Sequence, residues 1–321
     1  MTHEAFDRAL ATRFGERLRR AAPLAPLTTF KVGGPADWLL ELQQVEDVRA
    51  ALMIAREHGV PVVPLGGGSN VLVPDAGIRG LVIRLHGGSM VRVAEHRIRA
   101  DGGVTINGLV RWTLSHRLAG LEAWAGTPGT VGGAVHGNAH FRGRLISELI
   151  VAVSLLSRRG ELRDVPVSEM EFGYDTSRLH RTDEIVVAAE FAVSPGDPEQ
   201  LRATARESLA FRKRTQPLAS PSAGCIFQNP NPAREVVPVG IPPSAGALVD
   251  RAGLKSAREG AARVSPTHGN FIVNEGGATA ASVRALIDRC KASVRKRFGV
   301  ELREEIVYLD AAASERGEGH E

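Results

Sequence analysis

Pro64-Leu65-Gly66-Gly67-Gly68-Ser69-Asn70-Val71-Leu72-Val73 decides how this chain folds. The apolar residues on either side, 60–65 and 71–73, read as two short strands, the first of them buried. The three glycines between them carry no Cβ, so the backbone can come close to a ligand and its N–H groups can form an anion-binding nest. Ser69 and Asn70 add side-chain donors. No Lys-Ser or Lys-Thr pair follows, which excludes a P-loop. The loop does not open a long helix in a Gly-x-Gly-x-x-Gly pattern, which argues against a Rossmann nicotinamide site. A tight hairpin turn is the plain alternative.

Outward from this loop the chain reads as an α/β unit. Residues 37–42 are strand-like, 46–57 form a helix stopped by Gly59, and 81–85 form a further strand. Upstream, Phe6, Leu10, Phe14 and Leu18 recur every four residues and predict an amphipathic helix over 1–22 packed on the body. Downstream, residues 90–195 alternate short strands and glycine loops around one helix at about 105–118. The clearest strands there are 150–156 and 184–193. Pro195-Gly196-Asp197-Pro198 breaks the pattern, and a helix over 199–214 follows. Beyond a Pro-, Ser- and Gly-rich stretch at 217–243 come a long helix over 280–298 and a strand within 300–309.

At 321 residues the chain has room for two or three domains. Its formal charge of +4 suits an anionic substrate. The basic residues are scattered apart from 212–214 and 295–297, and no aromatic-rich RNA-binding motif accompanies them, so no nucleic-acid partner is expected. Cys225 and Cys290 are the two cysteines. They have no metal-ligand spacing, so no metal is expected, and their scarcity fits the cytoplasm. Residues 1–20 carry acids and no apolar stretch, which does not read as a signal peptide. No apolar run approaches the ~20 residues that span a bilayer, so no membrane association is expected.

Three more stretches carry chemistry. Gly126-Thr127-Pro128-Gly129-Thr130-Val131-Gly132-Gly133-Ala134-Val135-His136-Gly137-Asn138 has too few side chains to build a core, and suits backbone wrapped against a long cofactor. Two glycine loops together can satisfy the oxygens of a diphosphate. Ser222-Ala223-Gly224-Cys225-Ile226-Phe227-Gln228-Asn229-Pro230 places a thiol in a polar loop, where it can give a proton to a carbanion. Cys290, among Leu286, Ile287 and Val294, reads as core. In Glu301-Leu302-Arg303-Glu304-Glu305-Ile306-Val307 strand alternation turns Glu304 and Glu305 to opposite sides, so one of them faces inward.

These motifs, in this order, resemble the family of UDP-N-acetylenolpyruvoylglucosamine reductases, in its shorter subtype. Thr28-Thr29-Phe30-Lys31-Val32-Gly33-Gly34-Pro35-Ala36 is similar to the family's opening motif, and Arg212 to Pro217 to its Arg-x-x-x-Gln-Pro turn. The Cys225 loop resembles its proton-donor loop, where the family usually has Ser. Gly253-Leu254-Lys255, then His268-Gly269-Asn270-Phe271-Ile272-Val273-Asn274, then residues 298–305 complete the likeness, which covers roughly 25–310.

The resemblance implies an α+β fold. An FAD-binding region of the vanillyl-alcohol-oxidase (PCMH) type spans 25–200 in two subdomains, about 25–85 and 86–200. A smaller α+β substrate-binding domain spans 201–311, with the N-terminal helix over 1–24 and a disordered tail over 312–321. It implies FAD held by Gly66, Gly67, Gly68, Ser69, Asn70, Gly126, Thr127, Pro128, Gly129, Thr130, Gly132, Gly133, Ala134 and Asn138. NADPH is the implied hydride donor and UDP-N-acetylglucosamine enolpyruvate the implied substrate, bound by Tyr174, Arg212, Gln228, Asn229, Lys255 and His268. Cys225 and Glu305 match the catalytic positions, and a thiol in the site is exposed to alkylation. A monomer is expected.

Two places depart from the family pattern. Its Tyr-Arg-x-Ser, with the Arg at the substrate carboxylate, reads Tyr174-Asp175-Thr176-Ser177-Arg178 here. Arg178, three residues on, is therefore expected to supply the guanidinium, with Arg142 as a second source. The pattern Asn-Ala-Gly-Ala-Tyr-Gly reads Asn138-Ala139-His140-Phe141-Arg142-Gly143. Two other readings compete: an FAD oxidase of the same fold, and a catalytically impaired flavin-binding paralogue, the latter motivated by Asp175.

Overall fold

The computed structural model describes residues 2–231 and 235–309. Its first layer is a four-stranded sheet in the order Leu18–Pro23, Pro35–Leu42, Ile78–Leu85, Val62–Leu65. The first pair is antiparallel and the others are parallel. Helix Val45–Glu57 covers one face, burying Val48, Ala51, Leu52 and Ala55 against Leu40 and Ile83. On the other face Leu39 and Val82 pack with Leu65 and Val73. Burial on both faces is why these strands read as unbroken apolar runs.

The N-terminal helix is shorter than its spacing predicts. It spans Thr2–Phe14. Gly15, at φ 56°, ends it, and Leu18–Pro23 then pairs as a strand with Pro35–Leu42. Phe6, Leu10, Phe14 and Leu18 are all buried in the first sheet's core, the last from a strand. The expected helix over residues 1–24 is corrected accordingly.

The second layer is an antiparallel sheet in the order Leu162–Pro166, Ile150–Leu156, Ile185–Ala192, Arg97–Asp101, Met90–Ala94. Helix Ile106–Ser115 packs on it through Ile106, Leu109 and Val110, and Val131–His136 through Val131 and Val135. Leu156, Ile185 and Val187 turn instead into the first sheet's core, which joins the two subdomains. Helix Pro198–Thr215 buries the stripe Leu201, Ala205, Ser208 and Arg212. Ala205 lies in the second subdomain's core, so this helix packs there and not on the C-terminal lobe. The boundary expected at 201 thus falls after the helix, near 216.

The C-terminal lobe has a small antiparallel sheet in the order Arg258–Glu259, Ala262–Val264, Ile272–Asn274, with helices Ala245–Arg251 and Ala280–Phe298. Cys290 is core, as its neighbours predict. The strand expected within 300–309 is only Val307–Tyr308, although the buried residues Val300, Leu302 and Ile306 fall on alternate positions before it. It pairs in parallel with Val71–Leu72, directly after the first glycine loop. Residues 310–321, including the tail expected over 312–321, lie outside the described residues.

The opening motif is a joint. Phe30 and Val32 insert in the C-terminal core. Asn274 Nδ2 donates to the Phe30 carbonyl at 3.1 Å, and the Thr29 N–H donates to the Gly68 carbonyl at 2.9 Å. Asp75, just past the glycine loop, accepts from the N–H groups of Ala280 and Ala281 at 2.7 and 2.9 Å and so caps the long C-terminal helix. No helix among the described residues is long and apolar enough to cross a membrane.

Candidate active site

A cavity of about 1550 Å³ opens between these parts. Residues 66–70 of the first subdomain line it, as do 126–130 and 132–134 of the second, and Cys225, Asn229, His268 and Glu305 of the C-terminal lobe.

The two glycine loops interlock. A Cβ on Gly67 would lie 2.6 Å from Gly129 Cα, and one on Gly66 2.6 Å from Thr130 Oγ1. Gly129, at φ 98°, faces Ser69 Oγ in the same way, also at 2.6 Å. Glycine is therefore required for the loops to approach each other as well as for a ligand to approach them. Asn107 pins the second loop: its Oδ1 accepts from the Gly126 N–H at 2.7 Å and its Nδ2 donates to the Thr127 carbonyl at 3.1 Å. Nothing in its sequence context marked Asn107, since its role depends on a contact 19 residues away. A cradle of bare backbone on this scale fits a dinucleotide, whose diphosphate needs many N–H donors. Two expected contacts differ. Asn138 is fully buried away from the cavity wall; its Nδ2 donates to the Gly173 carbonyl at 2.7 Å and its Oδ1 accepts from the Ser147 N–H at 3.2 Å. Asn70 lines the cavity, but its amide donates to the Glu305 carbonyl at 3.0 Å.

The thiol and the acid are brought together by backbone pairing. The Glu305 N–H donates to the Ile226 carbonyl at 2.8 Å. Buried Asn270 clamps the same loop: its Oδ1 accepts from the Phe227 N–H at 2.9 Å, and its Nδ2 donates to the Phe227 carbonyl at 2.7 Å. The His-Gly-Asn motif that contains Asn270 was visible in the sequence, but its clamping role was not. Burial pushes the Cys225 thiol well above the usual range, the charges of Glu305 and Asp175 add to this, and Arg212 opposes it. The thiol is thus held protonated, which lowers the reactivity toward alkylation expected of an ordinary exposed cysteine. Burial also pushes the Glu305 carboxyl up, to about 8, with Asp175 adding and His140 opposing. Glu304 turns away and pairs with Lys291 at 2.6 Å.

Arg212 is buried with its guanidinium 3.8 Å over the Phe141 ring, and its Nη2 donates to Thr127 Oγ1 at 2.8 Å. Burial lowers its pKa to about 10, which leaves it a cation at neutral pH. His268 Nδ1 accepts from the Asn270 N–H at 3.2 Å, and burial, with Lys255 adding, lowers its pKa. A neutral ring with its proton on Nε2 follows. Asn229 donates to the Tyr174 hydroxyl at 3.4 Å and accepts from the Ala245 N–H at 3.1 Å. Tyr174 flanks the wall, its ring 4.8 Å from that of His140.

Arg178, Gln228 and Lys255 do not line the cavity. Arg178 pairs with Glu184 at 3.2 Å, and Lys255 with Asp250 at 2.8 Å. Gln228 engages the fold through its N–H, which donates to the Arg303 carbonyl at 2.9 Å. The alternative cation, Arg142, reaches the wall but pairs with Glu207 at 2.9 Å. The charged group next to Glu305 is instead a pair that motif reading had not joined: His140 Nδ1 lies 2.8 Å from Asp175 Oδ1. A nitrogen of His140 and one carboxylate oxygen each from Asp175 and Glu305 lie within 4.8 Å of one another.

A cavity walled by interlocked glycine loops, with a proton-bearing thiol and acid on a third lobe, defines a flavin-dependent oxidoreductase, and residues 36–166 match the family described as FAD binding domain. Residues 216–309 match the family described as UDP-N-acetylenolpyruvoylglucosamine reductase, C-terminal domain, which begins where helix Pro198–Thr215 ends. The chain belongs to the UDP-N-acetylenolpyruvoylglucosamine reductase family. A reductase of that name from Heliobacterium modesticaldum is 40% identical over 93% of both chains. One from Bacillus velezensis is 38% identical over 89% of this chain and 92% of its own. The crystal structure of the reductase from Thermus caldophilus superimposes with a TM-score of 0.75 at 33% identity, covering 91% of this chain and 98% of that one.

Proposed function

We propose that the protein reduces UDP-N-acetylglucosamine enolpyruvate to UDP-N-acetylmuramate at the expense of NADPH, as a cytoplasmic step of peptidoglycan precursor synthesis. The observation that carries this reading is the joining of Cys225 and Glu305 by backbone pairing on the wall of the same cavity as the glycine loops. FAD held there would supply hydride transfer from NADPH to the methylene carbon of the enolpyruvyl group.

The remaining tasks fall to the chain. Residues 66–69, 126–130 and 132–134 would hold the cofactor. Arg212, Asn229 and His268 line the same space and suit an anionic sugar nucleotide, with Tyr174 bonded to Asn229 beside it. Hydride addition leaves a carbanion beside a carboxylate, which must receive a proton. Cys225 is held as a thiol and donates it. Glu305, which keeps its own proton to about pH 8, returns a proton to the thiolate. The raised value of the thiol makes that return downhill.

Anaerobic addition of NADPH to the FAD-loaded protein is expected to bleach the flavin, and addition of the enolpyruvyl sugar to restore its absorbance. Reoxidation by oxygen alone would replace this reading with an oxidase.

A further inference from the structure

The two departures from the family pattern meet in space. Residue 140 is His where the pattern has Gly, and residue 175 is Asp where it has Arg. They are 35 positions apart in sequence and 2.8 Å apart in the fold. Asp175 sits at φ 54° in a turn closed by the pairing of Gly173 with Thr176, and its side chain is 8% exposed. Its Oδ2 is buried with no hydrogen-bond partner. A second carboxyl, that of Glu305, stands beside it. A buried carboxylate with one unpartnered oxygen is costly without a cation. Arg178 is engaged by Glu184, Arg142 by Glu207, and Arg212 by Thr127 and the Phe141 ring. His140 is the group in contact.

We propose that His140 and Asp175 act as one unit, an imidazolium held by a carboxylate, which replaces the family's guanidinium and presents the positive charge that meets the substrate carboxylate. The proposal rests on the function proposed above and names the group that completes its site. His140 lines the cavity with 23% of its side chain exposed, so it can reach both Asp175 and a ligand. The charged groups around it come from several elements: Asp175 and Tyr174 from the turn, Glu305 from the C-terminal segment, and Arg212 from helix Pro198–Thr215. Burial works against its charge, but the hydrogen bond and charge of Asp175, with Glu305 adding once it ionises, outweigh burial and the repulsion of Arg212, and its pKa is raised. Asp175 then no longer marks an impaired site, because the lost cation has been moved rather than removed.

The test has two arms. In the first, nitrogen-15 NMR of histidine-labelled wild type at pH 7 is expected to show the His140 ring protonated on both nitrogens. Asp175→Asn, close in shape, is expected to return the ring to its neutral form. A neutral ring in wild type overturns the proposal whatever the activity.

In the second arm, flavin reoxidation by the enolpyruvyl sugar is followed in anaerobic, pre-reduced, FAD-loaded protein. His140→Gly and Asp175→Asn are each expected to slow it about a hundredfold, the scale of one lost charge-stabilising donor. The double variant His140→Gly/Asp175→Arg, which restores the family pattern, is expected to recover to within about tenfold of wild type. Singles that match wild type, or a double variant no faster than the singles, overturn the proposal. Flavin content and melting temperature separate these results from misfolding, and Asp175→Asn preserves the test should the glycine variant lose flavin. If wild type itself is not reoxidised by the sugar, the proposed function fails, while the NMR arm still decides the charge of His140.

Discussion

Cys225 and Cys290 differ in their neighbours more than in their chemistry. Burial raises both thiols, Cys290 to about 12, but Cys225 also faces Glu305, Asp175 and Arg212 on the wall of a cavity. Cys225→Ala is expected to leave flavin bleaching by NADPH intact and to slow reoxidation by the sugar about 10²–10⁴-fold, the usual span for a general acid. Unchanged reoxidation in stopped flow would remove Cys225 from the mechanism. A second expectation concerns the thiol itself. Iodoacetamide at pH 7 should label Cys225 in the native protein more slowly than in the urea-unfolded chain, because the raised pKa keeps thiolate scarce. Mass spectrometry of labelled peptides reads the two rates, and equal rates would contradict the assigned environment. The polar loop around Cys225 singled that thiol out in the sequence, whereas strand alternation left Glu304 and Glu305 open and only the resemblance pointed to Glu305. The contact of His140 with Asp175, the clamp made by Asn270 and the capture of Arg178 by Glu184 were not legible there, because each is a pairing of segments brought together only by the fold.

At the scale of elements, the interlocked loops make a sharp demand. Gly67→Ala would place a Cβ 2.6 Å from the Gly129 Cα, a backbone atom that cannot yield by side-chain rotation. The loops must part, so the variant is expected to purify with much less flavin and to lose roughly 1–3 kcal/mol of stability, as overpacking does. The ratio of flavin to protein absorbance and a denaturant titration check both, and full flavin occupancy would show that the loops are not held together. Gly143 is the contrast: unlike Gly67 it has a positive φ, 79°, and a Cβ there meets nothing within 4 Å, so its substitution would strain the backbone without forcing any segments apart. The long C-terminal helix Ala280–Phe298 agrees with its reading to the residue. The errors share one cause. Apolar spacing shows that a residue is buried, but not what it is buried against. Leu18 continues the four-residue rhythm of the N-terminal helix yet enters the core from a strand, and helix Pro198–Thr215 has an apolar stripe that fits either neighbour. The packing of Ala205 and Phe211 assigns that helix to the second subdomain.

For the whole molecule, groups with opposite pKa shifts set how stability follows pH. His136, stacked on His180 at 4.4 Å, is lowered by burial, then by the charge of His180, from 6.5 to about 4. Its unfolded form binds a proton that the folded form refuses, so stability is lost as pH falls from about 6.5 toward 4. His180 and His268 are lowered too and act in the same direction. Glu305 does the reverse. Its carboxyl is raised from 4.5 to about 8, so the folded state keeps a proton that the unfolded chain releases, and stability declines as pH rises through that interval. Below about 6.5 the histidines and Glu305 oppose each other, whereas above it Glu305 acts with His140, whose raised pKa makes folded stability fall as that proton leaves. The melting temperature is therefore expected to peak near pH 6.5 and to decline toward about pH 8. Glu305→Gln should shrink the alkaline slope to the part that His140 supplies and steepen the acid limb, because the lowered histidines then act there unopposed. Circular-dichroism melts of both proteins from acid to mildly alkaline pH measure it. A variant with the same alkaline slope as wild type would mean that Glu305 is already ionised in the folded protein, and the proton-return step assigned to it would have to move to His140.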